Sequence, residues 1–355
     1  MTESRKWKVF IFSPYDFGWD KTAVDECYDR LRREGCELTF AEHLTIPTKE
    51  ELMELGKGAD AFIGVQSKKE RIDEHVLKNA PNLRIIAKCT IGVDEIDLEA
   101  ATKLGILVTN APCESTTIGV AENTVTLMLA LLKKITLRDK LTRSGVWRPP
   151  EVKGVYVRGR IKVGFIGFGR IAREVSKLLE PWGVERVAYD PYVPMTMFKQ
   201  ENVKSVDLET LLRESDVVLV LASLTSETYH MIGEKELKTM KRTAYIVNTA
   251  RGAIIDEKAL IKALREKWIA GAALDCFEQE PLKPDSPLLD LENVILSPHC
   301  SDFNICAGAE FEGVRLATEN VLKALHGEVP SCIVNPEALP KWLERFGKKP
   351  QKGGG

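Results

Sequence analysis

Short apolar runs alternate with amphipathic, helix-like stretches along almost the whole chain, which is the pattern of an α/β protein with parallel sheets. Runs at 8–13, 37–41, 59–64, 83–88 and 106–108 read as strands. A charged amphipathic stretch at 22–33, closed by Gly35, and a second at 72–79 read as helices between them. The stretch 119–134 is apolar over most of its circumference, which predicts a helix buried between packed units or at a subunit interface. From 161 to 298 the pattern is most regular, with strands at 161–166, 186–189, 217–221, 244–248, 270–274 and 294–297. Asp256 is placed to cap a helix at 257–266. Six parallel strands with crossovers form the doubly wound, dinucleotide-binding pattern. A long helix is expected at 305–325. Beyond 334 no new periodic unit shows, and that segment is expected to cross back to the first layer. The expected organisation is therefore a first domain of 1–110 completed by 305–340, an inserted nucleotide-binding domain of 111–304, and a tail from 341 to 355. Gly353, Gly354 and Gly355 read as a flexible end.

The 355 residues suit two domains of about 150 residues each. With 50 basic and 52 acidic side chains the net charge is −2, which predicts neither a nucleic-acid nor an anionic-membrane partner. The longest apolar run, 124–132, contains Thr124 and Thr126 and falls short of the ~20 residues of a membrane span. The apolar stretch at 9–12 is too short for a secretory signal. Eight cysteines without a Cys-x-x-Cys pair read as thiols in a reducing cytoplasm. No histidine stands at ligand spacing from them, so no zinc site is expected.

Gly167-Phe168-Gly169-Arg170-Ile171-Ala172 fits G-x-G-x-x-[G/A] directly after the strand at 161–166. It opens a helix with Ile171, Val175, Leu178 and Leu179 on one face. Gly167 permits the tight turn, Gly169 lets the backbone approach a pyrophosphate, and Ala172 lets helix and strand pack closely. The helix N-terminus then offers N–H groups and partial positive charge to the phosphates. Asp190 ends the next strand, where a carboxylate accepts ribose hydroxyls and repels a 2′-phosphate. The expected cofactor is NAD.

Ligands of such a sheet bind beyond the carboxyl ends of its strands. Arg251, Asp275, Glu280 and His299 all fall there. Together they suit the interconversion of a 2-hydroxy acid and a 2-oxo acid. Arg251 offers a planar two-donor fork to a carboxylate. His299 exchanges the proton of the C2 oxygen, and a neighbouring Glu280 favours its imidazolium form. Asp275 is placed to hold the nicotinamide amide. His43, His75, His230 and His326 lack such company and read as structural or exposed.

The ordered motifs resemble the D-isomer-specific 2-hydroxyacid dehydrogenases from about 83 to 336. They are Gly92-Val93-Asp94 with Ile96-Asp97-Leu98-Glu99-Ala100-Ala101, Val120-Ala121-Glu122, Arg143-Ser144-Gly145 and the glycine turn. Leu224-Thr225 with Glu227-Thr228, Asn248-Thr249-Ala250-Arg251-Gly252, Asp275-Cys276-Phe277-Glu278-Gln279-Glu280-Pro281 and Ser297-Pro298-His299 complete the set. The resemblance implies two Rossmann-like doubly wound domains, the nucleotide-binding domain inserted in a flavodoxin-like substrate domain. It implies Arg251, Glu280 and His299 as the catalytic trio. It implies Arg170, Ile171, Ser223, Thr228 and Ala250 as NAD contacts beside Gly167, Gly169, Asp190 and Asp275. It also implies a carboxylate cradle of backbone N–H groups at Ile91, Gly92 and Val93, cleft closure, and a homodimer built around the helix at 119–134.

The chain departs from the family's usual residues at Thr90, Glu95, Asn123 and Ser223, and in Cys300-Ser301-Asp302 after the histidine. Asp302 reads as solvated or helix-capping, with a place at the pocket mouth as the alternative. Tyr15, Phe17 and Trp19 stand on a loop that either lines the substrate side or packs ordinarily. A different functional class on the same fold is an NAD-sensing corepressor or scaffold with little turnover. A formate-type reaction is argued against by Glu280, where such enzymes usually carry glutamine.

Overall fold

The computed structural model describes residues 6–13, 21–41, 47–65, 70–301 and 309–348. The chain divides into two compact units, Met1–Ser115 with Ile305–Gly355, and Thr116–Asn304.

The first unit is built on five parallel strands, β1 (Trp7–Ser13), β2 (Cys36–Phe40), β3 (Ala61–Gly64), β4 (Ile85–Lys88) and β5 (Leu107–Thr109), in the order β2-β1-β3-β4-β5. The central strands β1, β3 and β4 are buried on both faces and mostly apolar, whereas the edge strand β2 alternates apolar and polar residues. Val9 and Ile11 of β1 pack with Val24, Leu31 and Val314. Phe10 and Phe12, pointing the other way, pack with Leu52, Val76 and Ala101. The helices Lys21–Arg33 and Ala309–Leu325 thus cover one face. The short helices Lys49–Leu55, Glu74–Asn79 and Leu98–Leu104 cover the other. Each short helix starts at a side-chain cap, Thr48, Asp73 and Asp97 respectively. Helices of six or seven residues make fewer than two turns, so periodicity alone finds only the one near 72–79.

The segment beyond 334, expected to hold no further periodic unit and to end in a tail from 341, instead forms a helix, Leu339–Phe346. Leu339, Trp342 and Phe346 stand three and four residues apart, and Pro340 lies in the first turn, where its missing N–H costs nothing. Trp342 is fully buried, and its indole N–H donates to the Arg84 carbonyl at 2.9 Å. The Arg84 guanidinium lies 4.5 Å from the Trp7 ring and 4.7 Å from the Phe346 ring.

The second unit carries seven parallel strands: β6 (Lys162–Ile166), β7 (Glu185–Tyr189), β8 (Lys204–Ser205), β9 (Val217–Val220), β10 (Tyr245–Asn248), β11 (Gly271–Leu274) and β12 (Val294–Leu296). Their order is β12-β11-β10-β9-β6-β7-β8, so the direction of winding reverses between β6 and β9. The apolar pattern predicts six strands. The seventh, β8, is two residues long and pairs only at the sheet edge, too short to leave a pattern. The apolar helix runs Glu114–Leu132, starting and ending earlier than expected. By length and composition it could cross a membrane. One side of it, Ala121, Leu127, Met128 and Leu131, is nevertheless buried in the core of this unit, so it is a core helix. Lys134, with φ of 54°, breaks it from a second helix, Ile135–Arg143, none of whose residues is buried.

At the carboxyl end of β4 the Lys88 ammonium, 1% exposed, pairs with Glu95, 10% exposed. A buried charge left without its partner is destabilising by several kcal/mol, whereas two apolar replacements of similar volume are close to neutral. We expect Glu95→Gln to destabilise the protein by about 3 kcal/mol in urea unfolding, and the double variant Lys88→Met/Glu95→Leu to recover most of that loss. Equal stability of wild type and Glu95→Gln would show the pair to be inert.

Candidate active site

The switch between β6 and β9 opens on the turn that follows β6. Gly167 has φ of +85°, and a Cβ there would lie 2.6 Å from Ala222 Cα and 2.7 Å from its nitrogen. Only glycine fits that turn. Gly169 differs: it is the N-cap of the helix Arg170–Leu179 with φ of −71° and provides no side-chain cap. A Cβ at Gly169 would meet nothing within 4 Å. The protein thus presents a helix N-terminus and an open space in front of it, the two things a diphosphate needs. Arg170 and Ile171 are the first two residues of that helix.

Asp190 stands just past β7 and its carboxylate is already at work within the protein. Oδ2 accepts the Phe168 N–H at 2.8 Å, and Oδ1 accepts those of Tyr192 at 2.9 Å and Val193 at 3.2 Å. It therefore ties the glycine turn to the end of β7. Past β9, the Thr228 hydroxyl donates to the Ser223 carbonyl at 2.7 Å and accepts the Thr225 N–H at 2.7 Å, closing a tight turn. The Tyr192 hydroxyl donates to Glu227 between these two loops.

Three further loops leave β10, β11 and β12. After β10, the Asn248 side chain folds the backbone back on itself: its amide donates to the Arg251 carbonyl at 2.9 Å, and its oxygen accepts the Ala250 N–H at 3.0 Å. Gly252 then lies so close to the β11 loop that a Cβ would sit 1.9 Å from the Phe277 carbonyl carbon. The Arg251 loop and the Glu280 loop are in backbone contact there. The Phe277 N–H donates to Glu280 Oε1 at 3.1 Å. Both Glu280 oxygens lie 2.8 Å from His299 Nδ1. The pair is half-buried, with side-chain exposures of 29% for His299 and 16% for Glu280.

His299 has φ of 54°, the left-handed region that residues with side chains seldom enter. What holds it there is Asp275, 1% exposed. Asp275 Oδ1 accepts the Cys300 N–H at 3.1 Å and the Ser297 hydroxyl. Oδ2 accepts the Ser301 N–H at 3.1 Å and the Ser301 hydroxyl. The sequence places Asp275 on the nicotinamide amide. Its contacts instead support a role in fixing the 297–301 loop, since those four bonds match the roughly four acceptor sites of a carboxylate.

The sequence misses two side chains that join this network from the apolar helix. Asn123 Nδ2 donates to the Ser301 hydroxyl at 2.6 Å. Thr124, fully buried, meets the Thr249 hydroxyl at 2.7 Å. The signal was present, as two polar residues inside an apolar run. His230, expected to lack company, contacts Glu278 at 2.6 Å and stacks on Tyr229 at 4.0 Å. It braces the loop that carries Glu280. In the first unit, Ile91, Gly92 and Val93 follow β4. The Asn110 amide donates to the Ile91 carbonyl at 3.0 Å, and the Val93 carbonyl accepts the Ile96 N–H at 2.9 Å. Asp302, Tyr15, Phe17 and Trp19 lie outside the described residues.

Comparison with known proteins places the chain in a family. A family model described as "D-isomer specific 2-hydroxyacid dehydrogenase, NAD binding domain" matches residues 125–301. A glyoxylate reductase of Thermofilum pendens is 42% identical over 317 residues, covering 87% of this chain and 91% of that one. A solved protein of Thermus thermophilus superposes with a TM-score of 0.80 at 33% identity, covering 92% of this chain and 99% of that one. The NAD-complexed form of a D-isomer specific 2-hydroxyacid dehydrogenase from Lactobacillus delbrueckii superposes with a TM-score of 0.70 at 26% identity, covering 92% of this chain and 100% of that one. The glycine turn fits NAD as cofactor.

The two glycines separate structure from binding. We expect Gly169→Ala to leave the melting temperature nearly unchanged, since the new methyl group meets no protein atom, and to weaken NADH binding measured by fluorescence. Gly167→Ala should lower the melting temperature by itself, because its Cβ collides with the Ala222 backbone. Unimpaired NADH binding by Gly169→Ala would mean that the diphosphate does not lie in that space.

Proposed function

The chain belongs to the family of D-isomer specific 2-hydroxyacid dehydrogenases and is an NAD-linked oxidoreductase, and from that premise we propose that it interconverts a small 2-oxo acid and the matching D-2-hydroxy acid through Arg251, Glu280 and His299. The single observation that carries this reading is the Glu280–His299 contact at 2.8 Å, built on loops that leave neighbouring strands of the nucleotide-binding sheet. Glyoxylate, the substrate named for the Thermofilum relative, is the first compound to test.

The bound nicotinamide supplies or accepts the hydride. The chain's part is to bind the acid, hold its carbonyl, and move one proton. Arg251 binds the substrate carboxylate through its two-donor fork, with its loop held by Asn248 and by the close approach at Gly252. Glu280 accepts a hydrogen bond from His299 Nδ1, which fixes the ring's orientation and proton position, so exchange with the C2 oxygen runs through Nε2. In reduction the imidazolium donates to the developing alkoxide. In oxidation the neutral ring takes the hydroxyl proton, with the carboxylate stabilising the charge that forms. Asp190 is proposed to accept the adenosine ribose hydroxyls while holding the turn, with Ser223, Thr228 and Ala250 on the adjoining loops. Ile91, Gly92 and Val93 are proposed to bind the substrate carboxylate through their backbone.

A homodimer is proposed as well. The helix Glu114–Leu132 is followed by a segment with Ile135 50%, Val146 42%, Trp147 78% and Tyr156 69% exposed, a large apolar area for a lone chain to leave in water.

Purified protein mixed with NADH and a panel of 2-oxo acids should consume NADH, followed by its absorbance. His299→Gln should lower kcat by about 10³-fold with NADH affinity retained. NADH binding without turnover on any member of the panel would favour the corepressor or scaffold reading. Sedimentation should give a dimer for the wild type and a weaker one for Trp147→Glu; a monomeric wild type would remove the dimer proposal.

A further inference from the structure

The helix Glu114–Leu132 sends two adjacent polar side chains, Asn123 and Thr124, to two different loops of the site. Thr124 is fully buried and donates its hydroxyl proton to the Val120 carbonyl at 2.7 Å. A hydroxyl has one proton, so in the 2.7 Å contact with Thr249 the donor must be Thr249. Thr249 stands two residues before Arg251 on the loop that leaves β10. Asn123 begins a relay instead: its amide donates to the Ser301 hydroxyl at 2.6 Å, and that hydroxyl donates to Asp275 Oδ2. Asp275 also holds the backbone on either side of His299, through the Ser297 hydroxyl and the Cys300 N–H. Hydrogen bonds in such a chain polarise one another, and a buried partner left unsatisfied is costly.

We infer that Asn123 and Thr124 are positioning residues with divided tasks, Thr124 setting the Arg251 loop through Thr249 and Asn123 setting the His299 loop through Ser301 and Asp275. Neither touches the reacting atoms. The inference rests on the proposed roles of Arg251 and His299, and it makes them separable. A loosened Arg251 loop weakens the grip on the substrate carboxylate, so it acts on KM. A loosened His299 loop spoils proton transfer, so it acts on kcat and on its pH dependence.

Thr124→Val keeps the shape and removes the hydroxyl, and Thr124→Ser restores it. Asn123→Leu and Ser301→Ala cut the relay at successive points. We expect Thr124→Val to raise the KM of the 2-oxo acid about tenfold with kcat within about twofold of wild type, and Thr124→Ser to recover wild-type kinetics. Asn123→Leu and Ser301→Ala should each lower kcat about tenfold and displace the pH limb that His299 governs, with KM within about twofold and NADH affinity unchanged in all variants. Hydrogen–deuterium exchange should quicken at 249–252 in Thr124→Val and at 297–301 in Asn123→Leu. Variants that change kcat and KM together, that only lower the melting temperature, or that leave exchange at both loops untouched would overturn the inference. A wild type that binds NADH but turns over no 2-oxo acid is a separate result. It is seen before any variant is made, and it removes the proposed function together with this inference.

Discussion

A single buried carboxylate organises the end of the second sheet. The left-handed backbone at His299 is uphill by roughly 1–2 kcal/mol for a residue with a side chain. It persists because four hydrogen bonds around it converge on Asp275. The Asp275 N–H in turn donates to the Asn248 carbonyl at 2.9 Å, and the Asn248 side chain shapes the turn before Gly252. Because β10, β11 and β12 run parallel in adjacent register, their carboxyl ends present these three loops side by side. One residue at the end of the middle strand can therefore fix the conformations of both neighbours.

Steric exclusion complements that electrostatic anchor. At Gly252 the approach to Phe277 leaves no room for even a methyl group, so the Arg251 loop cannot slide without dragging the loop that carries Glu280. On the far side of the same loop, Glu278 accepts the Glu257 N–H at 3.1 Å and contacts His230. Burial pushes the Glu257 carboxyl up from its ordinary range, with only the Glu278 N–H opposing the shift. Arg251, Glu280 and His299 stand on loops, but each loop is clamped from two directions, which gives loop residues the precision usually reserved for strands and helices.

The sequence made the larger architecture readable because it was written in repeated signals. Strands buried on two faces leave unbroken apolar runs, as in Val217–Val220, and a glycine turn between such a run and a periodic helix marks a helix N-terminus that opens on free space. Arg251, Glu280 and His299 stood out for a related reason, since each lies on a loop that leaves the carboxyl end of a strand. What stayed hidden was short or long-range. β8 has only two residues, and helices such as Lys49–Leu55 make fewer than two turns and announce themselves mainly through a cap. The working partners of Asp275 lie 22 to 26 positions away, and those of Asn123 lie 178 positions away. No local pattern encodes a hydrogen bond across that distance. Asp190 shows the same limit in another form. Its position announces a ribose-binding carboxylate, yet only coordinates reveal that both its oxygens hold backbone N–H groups.

Thr124 carries this reasoning one step further. As a polar residue inside an apolar run, it first serves as an argument against a membrane span. In the fold it has no exposure, and leaving a buried hydroxyl unsatisfied costs about 1–3 kcal/mol. An isolated helix could satisfy the donor by bonding back to Val120, but that leaves the oxygen's lone pairs facing the protein interior. Thr249 supplies the missing proton from another chain segment. On the buried side of this helix, Thr124 is met by a polar loop from another segment. The exposed Glu122 and Thr126 carry no such demand, while Asn123, beside Thr124, meets a second loop through Ser301.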